Sequence, residues 1–365
     1  MLGRSWRTAL KSFNSRTLAE NMTITRTNHT GTYNGILFVS LLALAAVFLA
    51  KIPTLSYLKI SPLIVGIILG MVYANTLRSS FPESWSPGVT FSAKKLLRLA
   101  IILYGFRLTF QQIGDVGAVG LAVAIVMLTS TFLLGSWVGT KIFGLDRDTS
   151  MLTAAGSSIC GAAAVLATEP VLRAEPQKSA AAVSTVVLFG TISMFLYPSL
   201  YGLGLIDLTP PEYGVYVGGS VHEVAQVVAA GGAILGAADN AVIVKMTRVM
   251  LLAPALILIG IYVSRKASRG EETAGSVKLV IPWFAVGFIV AAGLNSLHIL
   301  PSPVVAWIIV LDTFLLTMAM TALGMETSLA KLKDVGLKPF YVALVMYAWL
   351  VFGGYAVTNL ALRLF

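Results

Sequence analysis

An all-α, multi-pass membrane protein with an inverted repeat and two discontinuous segments is the fold class that three observations predict. The 365 residues are 57% apolar and 12% charged, where soluble domains carry about 25% charge. The apolar residues fall into long runs, and the cations gather in the short stretches between them, the usual mark of membrane topology. Two further stretches are apolar but loosened by Gly, Ala and Ser, a composition that suits helices broken inside the protein better than helices facing lipid.

Residues 1–33 are polar and basic, with Arg4, Arg7, Lys11, Arg16 and Arg26 against Glu20, and read as a cytoplasmic tail; an organellar presequence or an in-plane amphipathic helix is the alternative. The Asn-x-Thr triplets at Asn21 and Asn28 carry no weight without a secretory context. A span takes roughly 20 apolar residues, and runs meet or approach that at about 34–51, 61–77, 96–112, 117–139, 180–203, 241–264, 279–298, 303–325 and 339–362. Residues 34–365 thus form one transmembrane domain, with inverted halves near 61–203 and 214–362. The interrupted segments lie at about 149–168 and 214–236. No loop is long enough for a soluble domain, and the longest, about 265–278, is basic through Arg265, Lys266 and Arg269.

Two internal echoes support repetition. Gly105, Asp115, Val116 and Gly117 recur 219 positions later as Gly324, Asp334, Val335 and Gly336, with Thr109 matched by Ser328. Gly156, Ser158, Ala163, Val165, Ala167 and Thr185 recur 62 positions later as Gly218, Ser220, Ala225, Val227, Ala229 and Thr247. If both interrupted segments crossed fully, the second echo would relate parallel elements and the first antiparallel ones. If each dips in and returns on one side, both echoes become inverted, and Arg173 and Lys178 join the basic side. That version places the N-terminus inside, with nine spans and two re-entrant segments; eleven full crossings are the alternative. Inverted repeats with broken helices are the architecture of secondary transporters, whose substrates sit where the breaks meet.

The net charge of +10 comes from 26 Lys and Arg against 16 acids, but their placement is topological and does not suggest nucleic acid. One cysteine and three histidines leave no disulfide framework and little for a metal site, so no metal or other cofactor is expected. No phosphate-binding loop of the G-x-x-x-x-G-K-[ST] type is present, which argues against ATP-driven transport.

Thr153-Ala-Ala-Gly-Ser-Ser-Ile-Cys-Gly-Ala in the first interrupted segment suggests that Ser157 and Ser158 cap a helix start and turn amides toward an anion; close packing of small residues is the bland alternative. Cys160 reads as a packing residue. In the second, Val217-Gly-Gly-Ser-Val-His-Glu-Val-Ala-Gln-Val places His222 and Glu223 at membrane depth, where ionisable groups mark function. His222 and Gln226 share a helical face, but Gln226 stands where a zinc peptidase needs its second histidine. His222 and Glu223 are candidates for proton coupling, or for bonds that only hold the fold. Lys245 and Arg248, three apart on the next span, present both cations on one face toward the interior. Arg107 and its echo Glu326 read as interface anchors, Asp312 as a lone acid and proton-relay candidate, and Lys94, Lys95 and Arg98 as a cytoplasmic flank.

Four stretches, Gly156-Ser-Ser-Ile-Cys-Gly-Ala-Ala-Ala-Val, Gly219-Ser-Val-His-Glu-Val-Ala-Gln-Val-Val-Ala-Ala-Gly, Lys245-Met-Thr-Arg-Val-Met-Leu-Leu-Ala-Pro and Leu97-Arg-Leu-Ala-Ile-Ile-Leu-Tyr-Gly-Phe-Arg-Leu, resemble the YeiH-like family of bacterial inner-membrane proteins labelled sulfate exporters. The resemblance covers most of the chain from about residue 35, and the all-alanine run Ala162 to Ala164 departs from it where a further hydroxyl is expected. It implies a prokaryotic carrier of small inorganic or sulfonate-type anions. The expectation is therefore a non-enzymatic, proton-coupled oxyanion transporter of the inner membrane. Its site joins Ser157, Ser158, Ser220, Lys245 and Arg248; its partners are lipid, the anion, protons or sodium, and, at most, a second copy in a homodimer. The rivals are sodium-coupled uptake of an organic acid or amino sulfonate through Asp312 and Glu223, an intramembrane enzyme around Cys160 or His222, and a channel.

Overall fold

The computed structural model describes residues 30–52, 61–77, 81–267, 282–327 and 336–365. The expected tail up to residue 29, Arg269 and most of its loop, and the echo positions Ser328, Asp334 and Val335 lie outside them. Every regular element among the described residues is helical. Among the described residues, six helices are long and apolar enough to cross a membrane.

In chain order, α1 is Thr30–Ala50 and α2 is Pro62–Thr76. α3 runs over 86–104 through a wide turn at Ser92–Leu96. α4 is Phe110–Ile142, opened by Thr109 and Gln112 in a capping box and kinked at Gly117, whose φ of 27° suits glycine. The first hairpin is α5 (Arg147–Ser158) and α6 (Ala162–Leu172), followed by α7 (Pro176–Gly202). The second is α8 (Pro210–Ser220) and α9 (Val224–Gly232), followed by α10 (Ala238–Met250) and α11 (Leu252–Ala267). α12 is Trp283–Ser296, α13 is Ser302–Glu326 and α14 is Leu337–Leu364.

Contacts between ends fix the direction of each pass. Thr90 bonds Glu326 at 2.7 Å and Arg107 bonds Asp312 at 2.8 Å, so α3 and α13 are antiparallel. Asn75 donates to the Thr327 carbonyl at 3.2 Å, with Gly66 and Gly70 packed on Thr317, Thr321 and Gly324, so α2 and α13 are parallel. Asn295 reaches the Leu108 carbonyl at 3.0 Å, which sets the end of α12 beside the end of α3. Small residues at these crossings let backbones approach closely.

Both interrupted segments are re-entrant. Lys178, in the first turn of α7, pairs with Asp146, the N-cap of α5, at 2.9 Å, so the chain leaves the first hairpin on the face where it entered. Asn240, at the start of α10, donates to Pro211 at the start of α8 at 3.2 Å, which returns the second hairpin to the opposite face. The described chain therefore makes nine passes, with two hairpins entering from opposite sides. Residues 149–158 of α5, 213–220 of α8 and 224–231 of α9 are buried without interruption, as non-continuous backbone at membrane depth requires.

Two neighbouring spans are displaced from expectation, since α3 ends at residue 104 where its run reaches about 112 and α4 starts at residue 110, about seven before its run. α3 starts near residue 86, with proline in its first turn, about ten residues before the apolar run suggests; Lys94, Lys95 and Arg98 lie inside the helix and do not flank it. Lys94 and Lys95 sit in the wide turn and are exposed, a position hydropathy alone assigns to a loop.

The topology is checked by labelling with a membrane-impermeant maleimide, because the sole native thiol, Cys160, is only 6% exposed. Asp146→Cys and Lys178→Cys label from one face, and Leu235→Cys, 83% exposed in the loop after α9, from the other. Labelling of the first two from opposite faces would rule out the re-entrant first hairpin.

Candidate functional site

The breaks of the two hairpins meet in the middle of the fold. The first spans Ile159 to Gly161, and Gly161 takes φ 77° with the Glu223 side chain directly where a Cβ would project. The second spans Val221 to Glu223, with Val221 and Glu223 extended. Ala162, the first residue of α6, donates its backbone N–H to Glu223 Oε1 at 3.1 Å, which joins the two tips directly.

Lys245 and Arg248 project from α10 between the tips, and both are 0% exposed. Lys245 Nζ donates to the carbonyls of Ile159 and Val221 at 2.9 Å each and to that of His222. Arg248 donates to the Ser158 and Gly219 carbonyls at 2.6 Å, with longer contacts of 3.4 Å to Ser157, Gly218 and Val221. These oxygens belong to the last turns of α5 and α8 and to the residues just beyond, where carbonyls lose their helical partners and the helix dipole is negative. The interior placement of both cations agrees with the sequence reading.

The role of the serines differs from it. Ser157 and Ser158 close α5 and do not open α6, so they turn carbonyls, not amides, toward the cations. A Gly-Ser-Ser stretch suits a helix start and a helix exit equally well, and only the tertiary path decides between them. The Ser158 hydroxyl back-bonds to Ala155 and that of Ser220 to Tyr216 within their own helices, at 3.4 and 2.6 Å. The Ser157 hydroxyl is buried without a hydrogen-bond partner.

Amide donors gather instead at the starts of α6 and α9. Glu223 is the N-cap of α9 and forms a capping box with Gln226, whose Oε1 accepts from the Glu223 N–H at 2.9 Å. Gln226 is fully buried, packs against Gly190 of α7, and leaves its Nε2 unpartnered. The break separates His222 from Gln226, so the expected shared helical face is absent. His222 is 1% exposed; its ring lies 6.3 Å from that of Tyr347 and its Nδ1 has no hydrogen-bond partner. Cys160 is buried in the first tip. Half-buried Glu223 also feels the charges of Lys245, of Glu326 at the end of α13 and of Lys94 on α3.

A second polar cluster lies away from the tips. Asp312, expected to be a lone acid, is 0% exposed and paired with Arg107, so Arg107 serves as its partner and is not simply an interface anchor. Arg107 also donates to Thr313 at 2.6 Å and stacks over the Tyr104 ring at 4.9 Å, and Tyr104 bonds Asp239 at 3.0 Å. Glu326 accepts from Thr90. Apart from Arg107 and Tyr104, which are neighbours in the chain, these partners stand more than 130 positions apart, and no periodicity connects them. The pairing of Glu223 with Gln226, in contrast, has the spacing of a capping box and could have been read directly.

The family described as Conserved hypothetical protein 698 matches residues 34–343. A UPF0324 membrane protein of Bordetella pertussis is 54% identical over 329 residues, 90% of this chain and 94% of that protein. The UPF0324 inner membrane protein YeiH of Escherichia coli K12 is 51% identical over 327 residues, 88% and 93% of the two chains. A solved structure of the sodium proton antiporter MjNhaP1 from Methanocaldococcus jannaschii aligns over 87% of this chain and 99% of that one, with 14% identity and a TM-score of 0.30, a likeness too low to carry argument.

Proposed function

The chain belongs to the family described as Conserved hypothetical protein 698, and from that premise and the geometry of its core we propose that it is a secondary transporter of a small, sulfate-like oxyanion, proton-coupled and working by alternating access. It resides in the prokaryotic inner membrane with its N-terminus inside, and its halves near 61–203 and 214–362 act as inverted repeats.

The observation that carries this reading is an excess of buried positive charge where two opposed re-entrant tips meet. Lys245 and Arg248 are fully buried, and Glu223 is the carboxylate that acts on Lys245. Burying an ion costs several kcal/mol, and carbonyl bonds offset only part of it. A protein that retains two such cations against one acid favours an anion within reach of their field. With Glu223 protonated, the two cations match a dianion, and with Glu223 ionised and the anion gone a single positive charge remains. The net charge therefore changes by only one unit when a dianion loads together with a proton, which lowers the electrical cost of returning.

Proteoliposomes loaded through an imposed pH difference test the reading. Saturable uptake of labelled sulfate is expected to follow the proton gradient, to be unmoved by sodium, and to fall at least tenfold in Lys245→Met. Uptake that follows sodium would favour the organic-acid rival, and uptake that never saturates would favour a channel.

A further inference from the structure

We propose that the adjoining starts of α6 and α9 form an oxyanion site that the Glu223 carboxylate occupies when no substrate is bound, so that substrate and ionised Glu223 exclude one another. The identity of the natural ligand rests on the transport reading above; the site itself does not.

Three observations converge on this point. First, the donors there are backbone amides of two helices of eleven and nine residues, and helix starts favour anions through both free N–H groups and the macrodipole. Second, the position already holds an oxyanion group, since Glu223 Oε1 accepts from the Ala162 amide of the other hairpin at 3.1 Å. Gly161 makes this approach feasible, because any Cβ there would collide with the carboxylate. Third, Gln226 is fully buried at the same helix start and bonds Glu223 through Oε1 alone, which leaves an unpartnered Nε2 donor. Glu223 itself keeps partial exposure, while every neighbour in α9 from Val224 to Gly231 is buried.

A carboxylate offers two oxygens in a plane, and sulfate, a sulfonate or a small carboxylate offers the same pair with the same spacing to these donors. The ligand class is therefore a small oxyanion carrying one or two charges. The sequence places the anion on amides near Ser157 and Ser158, which the structure shows to be a carbonyl end, so the proposed site moves to the amide ends of the same breaks. Lys245 acts on it from α10 as a fixed charge, and Lys94 of α3 and Glu326 of α13 are the more distant charges that act on Glu223; His222 and Cys160 are the other titratable groups on the tips themselves. Protonation of Glu223 removes the competing carboxylate, and this exchange supplies the coupling: a proton enters with the anion because the proton frees the anion's donors.

The full chain, purified in detergent, is compared with Glu223→Ala and Glu223→Gln by thermal unfolding in sodium formate, sodium sulfate and sodium chloride at equal ionic strength. At pH 8 formate leaves the wild type unmoved but raises the melting temperature of Glu223→Ala saturably, by roughly 4 °C or more. Sulfate stabilises Glu223→Gln equally at pH 8 and pH 5.5, but the wild type mainly at pH 5.5. Formate that shifts wild type and Glu223→Ala alike, or neither, overturns the site. If Glu223→Ala does not fold, Glu223→Gln decides: a sulfate response as pH-dependent as that of the wild type overturns the proposal, and a pH-independent one supports it. Rescue by formate without sulfate transport in proteoliposomes would keep the site and remove the transport reading; proton-driven transport without rescue would do the reverse.

Discussion

Arg248→Ala is expected to lower the melting temperature by roughly 10 °C and to abolish transport, the larger effect of any single substitution at the tips. The guanidinium is 0% exposed and is shared between the exits of two helices from opposite hairpins, with its two bonds of 2.6 Å going one to Ser158 and one to Gly219. Removal leaves at least these two buried carbonyls without a donor, at about 1–3 kcal/mol each, together with the cavity left by a large side chain. At about 2–4 °C per kcal/mol for a chain of 150–250 residues, the scale nearest this one, the sum reaches the stated shift. Arg248→Lys retains the charge but replaces a planar fork by a single ammonium. It should recover no more than half of the loss, because one point donor does not span both exits. Melting of Arg248→Ala at the wild-type temperature would show that the guanidinium does not join the hairpins.

This expectation departs from what the sequence alone suggests for Lys245 and Arg248. A charge in an apolar run must turn inward, so depth and direction are legible, and both residues are indeed interior. From there an anion site beside the cations follows, along with variants that fold normally and merely lose anion binding. The structure gives the cations a framework duty first, since each carbonyl they satisfy lies at the exit of α5 or α8 or in the break beyond it. The hydropathy pattern also counts nine passes, and the positive-inside tendency, applied to the two conflicting echoes, prefers the re-entrant path that the contacts of Lys178 and Asn240 support. What it misses is polarity within a break: nothing local tells whether Gly156-Ser157-Ser158 ends one helix or begins the next. Partners across the fold are equally silent, as with Thr90 and Glu326, because apolar periodicity reports the depth of a residue and not its neighbour. Lys94 shows the converse error, in which charge density hides nearly the first three turns of a helix.

Arg107→Met should destabilise the protein by about 3–5 kcal/mol, the usual cost of removing one partner from a buried ion pair, while Arg107→Met combined with Asp312→Leu should recover most of that loss. The asymmetry follows from burial. Asp312 is 0% exposed, whereas the Arg107 side chain keeps 25% of its exposure, so the abandoned carboxylate has no access to water but an abandoned guanidinium does. Asp312→Asn alone is accordingly the milder single change. The pair also lies in a chain of contacts that runs from Asp312 on α13 through Arg107, just past the end of α3, and Tyr104 on α3 to Asp239 at the start of α10, the helix that carries Lys245 and Arg248. Loss of the pair therefore loosens the helix that fixes the tips, and transport should fall with stability. A proton relay through Asp312 makes a different demand: the double variant, though stable, would still be unable to couple protons. Stability measured across the four members of the cycle, with proton-driven sulfate uptake measured in the same four, separates the roles. Recovery of both quantities in the double variant assigns Asp312 to the framework, recovery of stability alone assigns it to the proton path, and a double variant as unstable as Arg107→Met would refute the ion pair as the source of the loss.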